Sequence, residues 1–225
     1  MKSPLFLKIY LGFSLFYLLI LLFNLEHIAW YLKGLLLPIL WLAVYFSGDF
    51  PSKKILLGAL LFSWIGDVIL LFAPIAEIYF ILGLVAFLIS HVIYIILFNK
   101  QNRSDVVKNK GAFYMGLLAI LIYLTSMLTV LLPKLGDLQV PVIVYALTIS
   151  TMLLHAFRGY LVWNKPANTY IFVGAIIFVL SDSILAMDKF YEPIDKNSFF
   201  IMLTYLMAQY LIVIGILKLN SIKTK

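Results

Sequence analysis

The sequence predicts an all-α fold: a polytopic membrane helical bundle with eight transmembrane helices. Hydrophobic residues make up 64% of the 225 positions and charged residues only 12%. A soluble domain of this size carries roughly 25% charge, and long apolar runs here alternate with short polar breaks. No segment is polar enough to form a separate soluble domain. We therefore predict one integral membrane domain over residues 1–225.

Each span is predicted where about 20 mainly apolar residues are bounded by turn or charge signals, because that length crosses the hydrocarbon core as a helix. Gly48 to Pro51, Pro74 and Pro133 mark three of the breaks, and two polar loops are predicted over residues 99–110 and 188–196. The predicted spans are 5–23, 28–46, 54–72, 75–98, 112–132, 139–163, 167–187 and 198–219.

The positive charge of the chain is explained by membrane topology. The formal net charge is +7, but the basic residues are scattered between the spans and form no patch for nucleic acid. With both termini cytoplasmic, 13 of the 17 lysines and arginines fall on the inner side, as the positive-inside rule requires. We therefore predict cytoplasmic termini, and we expect the protein in the inner membrane of a bacterium.

Several kinds of chemistry are excluded or disfavoured by composition. Cysteine is absent, which excludes disulfides, thiolate catalysis and cysteine-based metal sites. No HExxH metal motif, no nucleophile elbow and no phosphate-binding glycine loop occurs. We therefore predict neither a metal nor an organic cofactor.

Two aspartates stand inside apolar spans. Asp67 lies in the third span and Asp182 in the seventh. A charged residue at such a position costs roughly 2.5–3.5 kcal/mol on insertion scales, so intramembrane acids are usually functional. Each follows a small residue and precedes x-Ile-Leu, and they are 115 residues apart. This spacing is consistent with two four-helix halves of the same orientation.

Other polar residues are predicted near these acids in depth. Counting 1.5 Å per residue from the expected outer ends puts Asp67, Asp182, Lys33, Tyr145 and Tyr205 about 9–10 Å below the outer surface. Gln209 falls one turn deeper, and His91 lies nearer the cytoplasmic side.

Structural explanations compete with functional ones for the same residues. Lys33 could form a buried salt bridge with an aspartate, or extend its amine to the outer interface. The tyrosines could be interfacial aromatics, Gln209 a hydrogen-bonding residue between helices and His91 a packing residue.

Paired carboxyl groups in a medium of low dielectric constant suit two functions. Both cannot ionise cheaply, so one stays protonated beside a charged partner. Such a pair supplies an acid and a cation stabiliser for cleavage through an oxocarbenium ion, as in glycoside hydrolysis. It equally suits a proton-coupled transporter, and the residue pattern alone does not choose between them.

A set of residues with a specific order and spacing extends over most of the chain: Lys33, Pro38, Gly66-Asp67, Leu70, Phe80, Gly83, Phe87, His91, Tyr94, Val144-Tyr145, Gly174-Ala175, Phe178, Ser181-Asp182, Leu185-Ala186, Phe190, Tyr205 and Ala208-Gln209. This pattern resembles the YhhN-like lysoplasmalogenase family of integral membrane enzymes. One departure is Gly34, because the family commonly has Lys-Pro where this chain has Lys33-Gly34.

This resemblance implies a hydrolase that cleaves the vinyl ether bond of a lysoplasmalogen to a fatty aldehyde and a glycerophospho-head group. Asp67 and Asp182 would be its catalytic residues. The resemblance implies a lysophospholipid substrate and membrane lipids as partners, without nucleic acid. The alternative is a proton-coupled small-molecule or lipid transporter that uses the same aspartates. The residues expected to bind substrate or tune the acids are Lys33, Tyr145, Ser181, Tyr205, Gln209 and His91.

Overall fold

The computed structural model describes residues 3–101 and 107–223. Within these residues it contains eight α-helices and no strand, so the predicted all-α class is confirmed. The helices are α1 (Ser3–Leu22), α2 (Glu26–Tyr45), α3 (Lys53–Leu70), α4 (Glu77–Gln101), α5 (Lys110–Leu131), α6 (Gln139–Val162), α7 (Ala167–Phe190) and α8 (Asn197–Lys223).

Seven of the helices in the described residues are long and apolar enough to cross a membrane. The chain is therefore an integral, multi-pass membrane protein. The other helix is α3, which has 18 residues and includes Lys53, Lys54 and Asp67. The count of eight spans and the cytoplasmic position of both termini stay predictions. Three residues in the charge count, Lys2, Arg103 and Lys225, lie outside the described residues.

Two helices extend further than the hydropathy of the sequence indicated. Helix α4 continues through Gln101, into the loop predicted over 99–110, and α7 continues through Phe190, into the loop predicted over 188–196. Each carries a lysine in its last turn, Lys100 or Lys189, and a cation there interacts favourably with the helix dipole. The predicted ends of these two helices were wrong, because the polar residues that follow the apolar runs continue the helix.

The chain divides into two compact units, residues 1–97 and 98–225. The boundary falls inside α4, near its C-terminal end. The first unit contains α1 to α3 and most of α4, and the second contains α5 to α8. The prediction of a single membrane domain stays a prediction.

In the first unit, a proline in α2 is compensated by a tryptophan of α3. Pro38 lies inside α2 and has no backbone N–H, so the Gly34 carbonyl four residues earlier lacks its helical donor. The Trp64 indole nitrogen donates a 2.8 Å hydrogen bond to that carbonyl. The bond joins α2 to α3 and satisfies a backbone group that would otherwise be costly in the bilayer.

In the second unit, α7 and α8 approach each other closely at two glycines. A Cβ on Gly174 would lie 3.0 Å from the Ile212 backbone nitrogen, and one on Gly215 would lie 3.0 Å from that of Ile171. Small residues of this kind allow helix backbones to pack in contact within a membrane. The connection between these helices is fixed by Asp188, which accepts hydrogen bonds from the Ile194 backbone and the Asn197 amide.

Candidate active site

Asp67 lies on the buried face of α3 and is 3% exposed. The other buried residues of α3 recur every three or four positions, as one face of a helix requires; they are Leu56, Ala59, Leu60, Ser63 and Gly66. Helical periodicity therefore directs this carboxyl group into the first unit and away from lipid.

Helix α1 contributes tyrosines to the surroundings of Asp67. Tyr10 and Tyr17 are buried, and the hydroxyls of both lie within electrostatic range of Asp67. Ser14 lies between them on the same face, and its buried hydroxyl is near that of Tyr10 without hydrogen-bond geometry. The sequence analysis missed these residues. Their signal is the spacing Tyr-x3-Ser-x2-Tyr in an apolar span, which puts all three on one helix face.

Helix α4 packs against α3 at two glycines, one on each helix. A Cβ on Gly66 would lie 2.7 Å from the Phe87 ring, and one on Gly83 would lie 2.5 Å from Leu70. The residues of the resemblance motif, Phe80, Phe87, His91 and Tyr94, are all buried on this helix. His91 therefore lies in the packed interior of the first unit, one turn from Phe87.

A chain of serine hydroxyls adds a polar link between α3 and α4. Ser90 Oγ donates to the Ala59 carbonyl at 2.9 Å, and it lies 2.8 Å from Ser63 Oγ. Because the Ser90 proton is used on the carbonyl, Ser63 donates to Ser90.

Lys33 is half-buried on α2. A salt bridge of the first unit joins Lys53 to Asp49 at 3.1 Å. The alternative in which Lys33 and Asp67 form a structural salt bridge stays a prediction.

Asp182 has a defined hydrogen-bond donor in the second unit. The Tyr145 hydroxyl on α6 donates to Asp182 Oδ2 on α7 at 2.6 Å. The carboxyl group is half-buried. The structure thus brings together two residues that the sequence singled out separately.

A small cavity of about 60 Å³ lies beside this pair. Among its lining residues are Tyr123 of α5 and Ser183 of α7, whose hydroxyls are hydrogen-bonded to each other. Ser183 Oγ donates to the Val179 carbonyl at 2.6 Å, so Tyr123 is the donor to Ser183. The sequence analysis missed both residues, although Ser183 directly follows Asp182.

Three other predicted residues lie on the α7–α8 side of the second unit. Ser181 Oγ donates to the Ile201 carbonyl at 3.0 Å, which uses its hydroxyl in helix packing. Tyr205 is buried with its ring edge-on to Phe178, and Gln209 is fully buried on α8. None of the three lines the cavity beside Asp182.

The observed helix ends change the predicted spacing. Asp67 lies three residues before the last residue of α3, about 4.5 Å along its axis. Asp182 lies eight residues before the last residue of α7, about 12 Å along its axis. The two aspartates therefore lie at different distances from the observed helix ends, and their equal depth below the outer membrane surface stays a prediction.

The chemistry that these residues offer is that of carboxyl and phenol groups. In the described parts of the chain, no three His, Asp or Glu side chains are grouped as metal ligands. A carboxyl group held by a phenol donates or accepts a proton at a fixed position, which is the requirement for general acid–base chemistry.

These features define a class: a multi-pass helical membrane protein with carboxyl groups inside its helices. The sequence profile of the YhhN family matches residues 28–216. The chain therefore belongs to the YhhN family.

Curated relatives match most of the chain. The human protein named lysoplasmalogenase TMEM86B is 34% identical over 191 residues, covering 84% of this chain and 76% of its own length. Lysoplasmalogenase TMEM86B of Rattus norvegicus is 31% identical, covering 83% and 73%. Lysoplasmalogenase TMEM86A of Bos taurus is 30% identical, covering 80% and 75%. No solved structure matches the chain. Helix α1 precedes the matched family residues.

Proposed function

We propose that this protein is a lysoplasmalogenase that hydrolyses the vinyl ether bond of single-chain glycerophospholipids. The observation that carries the proposal is the similarity, at 30–34% identity over most of the chain, to relatives named for this activity. Intramembrane carboxyl groups support it, because they supply the acid that vinyl ether cleavage needs. The names of these relatives favour the enzyme over the transporter.

The reaction is an acid-catalysed addition of water followed by elimination. A carboxylic acid transfers its proton to the alkene carbon that is not bonded to oxygen, and the π electrons form the new C–H bond. The resulting oxocarbenium ion is stabilised by a carboxylate. Water adds to the cationic carbon and loses a proton to that carboxylate. The carboxyl group that took the proton from water then gives it to the glycerol oxygen as the bond between that oxygen and the hemiacetal carbon breaks. The hemiacetal hydroxyl loses its proton to the carboxylate of the first acid, which restores both groups and releases the aldehyde and the glycerophospho-head group.

Asp67 and Asp182 are proposed for the two carboxyl roles. The 2.6 Å hydrogen bond from Tyr145 supports a role for Asp182, because it holds one oxygen of the carboxyl group in a fixed position. The deep burial of Asp67 supports a role for this residue, because bulk water does not compete for its proton. This assignment rests on the surroundings of each residue within its own unit.

The remaining predicted residues have supporting roles in this proposal. Tyr145 orients Asp182, while Lys33 is proposed to attract the lipid phosphate. Four further residues are proposed to keep the helices that carry the aspartates in place, because their side chains are packed in the interior: Ser181, Tyr205, Gln209 and His91. The scheme calls for no metal or organic cofactor.

The test is mass spectrometry of the purified protein incubated with a lysoplasmalogen and with its saturated-ether analogue. We expect aldehyde from the vinyl ether only. Asp67→Asn and Asp182→Asn should each lower kcat/KM by at least about a hundredfold, the typical contribution of a general acid or base. Asp195→Asn is the matched control, because Asp195 is exposed in the loop after α7.

Full activity in either intramembrane variant would refute the assigned mechanism. Absence of aldehyde from the wild-type protein, with uptake of intact lipid into vesicles, would refute the enzyme and favour transport.

A further inference from the structure

An apolar groove runs between α2 and α3 in the first unit. Its volume is about 310 Å³, within the range of roughly 300–1,000 Å³ that is typical of ligand sites. All of its lining residues are apolar: Leu37, Pro38, Trp41 and Leu42 from α2, and Leu60, Leu61 and Trp64 from α3.

The backbone carbonyl that Pro38 leaves without a helical donor has another donor beside the groove. Pro38 has no backbone N–H to donate to the Gly34 carbonyl, but the Trp64 indole N–H donates to it. An unsatisfied carbonyl at this depth would disfavour a hydrocarbon ligand. Its pairing leaves an apolar surface that suits an alkyl or alkenyl chain.

The charged residues nearest to the groove along these two helices lie beyond the same end of it. Trp64 bonds to Gly34, so Trp64 and Leu37 mark one end. Asp67 follows Trp64 by three residues on α3, and Lys33 precedes Leu37 by four residues on α2. Residues three or four apart share a helix face. The end marked by Trp64 and Leu37 is therefore continued at once by a carboxyl group and an amine. At the other end the nearest charged residue of α3, Lys54, lies six residues before Leu60.

This arrangement matches the polarity of a single-chain glycerophospholipid. We propose that the α2–α3 groove holds the hydrocarbon chain of the substrate, with the vinyl ether near Asp67 and the phosphate toward Lys33. The inference rests on the proposed function and deepens it. Leu61 is 42% exposed, so the chain enters the groove from the bilayer without passing through water.

The first experiment compares two lysoplasmalogens that differ only in chain length, in wild-type protein and in Leu61→Trp. The larger side chain fills part of the groove. We expect kcat/KM for the long-chain substrate to fall about tenfold, since several methylene contacts are lost. The short-chain substrate should change less than about twofold, since it does not reach the filled part.

The matched control is Leu82→Trp on α4. Leu82 is 45% exposed, close to the 42% of Leu61, and does not line the groove. The Leu82→Trp protein should have the same preference for substrate chain length as the wild-type protein. If Leu61→Trp cleaves the vinyl ether with an unchanged preference for chain length, the groove does not hold the substrate chain. The proposed function would not be affected by that result.

The second experiment uses wild-type protein and requires no turnover. A saturated-ether lysophospholipid with a diazirine at its chain end is photolysed with the protein in nanodiscs. We expect label in residues 37–42 and 60–64, removed by excess unlabelled single-chain ether lipid but not by a two-chain phospholipid. Competed labelling in a protein that cleaves no vinyl ether would support the groove and refute the hydrolase. Uniform labelling of the lipid-facing helices, without competition, would show ordinary membrane lipid and overturn the inference.

Discussion

The Tyr145 hydroxyl donates a 2.6 Å hydrogen bond to Oδ2 of Asp182 and so joins α6 to α7 through a single phenol. Tyr145→Phe removes this donor while keeping the ring. A hydrogen bond to a charged group contributes about 1.5–3 kcal/mol. We therefore expect kcat/KM for vinyl ether cleavage to fall roughly ten- to a hundredfold, measured by aldehyde release.

The matched control for this substitution is Tyr114→Phe on α5, because Tyr114 is 63% exposed. It should retain wild-type kinetics. If Tyr145→Phe is as active as Tyr114→Phe, the phenol has no part in the reaction and Asp182 does not depend on it.

The bond between Trp64 and the Gly34 carbonyl predicts a coupling between two substitutions. Trp64→Phe leaves that carbonyl without a donor, at a cost of about 1–3 kcal/mol. Pro38→Ala restores the backbone N–H four residues later. Trp64→Phe should therefore lower the thermal stability of the wild-type protein clearly, and that of the Pro38→Ala protein much less, as followed by far-ultraviolet circular dichroism.

Trp41→Phe provides the comparison, because Trp41 also lines the groove. Its ring stacks on that of Tyr45, with 5.3 Å between the ring centroids. It should show no coupling to Pro38→Ala. Equal losses from Trp64→Phe in both backgrounds would mean that the indole contributes packing alone.

The close approach of α7 and α8 predicts opposite signs for two glycine substitutions. A helical glycine replaced by alanine gains about 1 kcal/mol from propensity. Gly12→Ala should show this gain, because a Cβ there meets nothing within 4 Å. Gly174→Ala should instead lower the unfolding temperature, because its Cβ would lie 3.0–3.1 Å from backbone atoms of α8. A stabilised Gly174→Ala would show that α8 moves away without cost.

Hydropathy predicted the helices well because the bilayer requires continuous apolar segments with internal backbone hydrogen bonds. All eight predicted spans correspond to helices in the described residues. The ends of α4 and α7 were missed because Lys100 and Lys189 are polar residues that nevertheless continue a helix. Hydropathy cannot distinguish such a residue from the start of a loop.

The site residues were predictable where a charge stood in an apolar run. Asp67 and Asp182 are conspicuous for that reason, and Tyr145 was selected by its depth. Tyr10, Tyr17 and Tyr123 were missed because 14 tyrosines occur in the chain, and a single hydroxyl in an apolar span is less conspicuous than a charge. Its meaning depends on which helix packs beside it, and the sequence of one chain does not show that.

Helix α1 has a consequence for how the family is delimited. The family match begins at residue 28, whereas α1 spans Ser3–Leu22 and carries the two tyrosines that interact with Asp67. A truncation or chimera cut at the start of the match would keep Asp67 but remove these phenols from its surroundings. Substitutions in this N-terminal helix therefore deserve the same scrutiny as those in the shared region, since sequence identity across the match does not report on them.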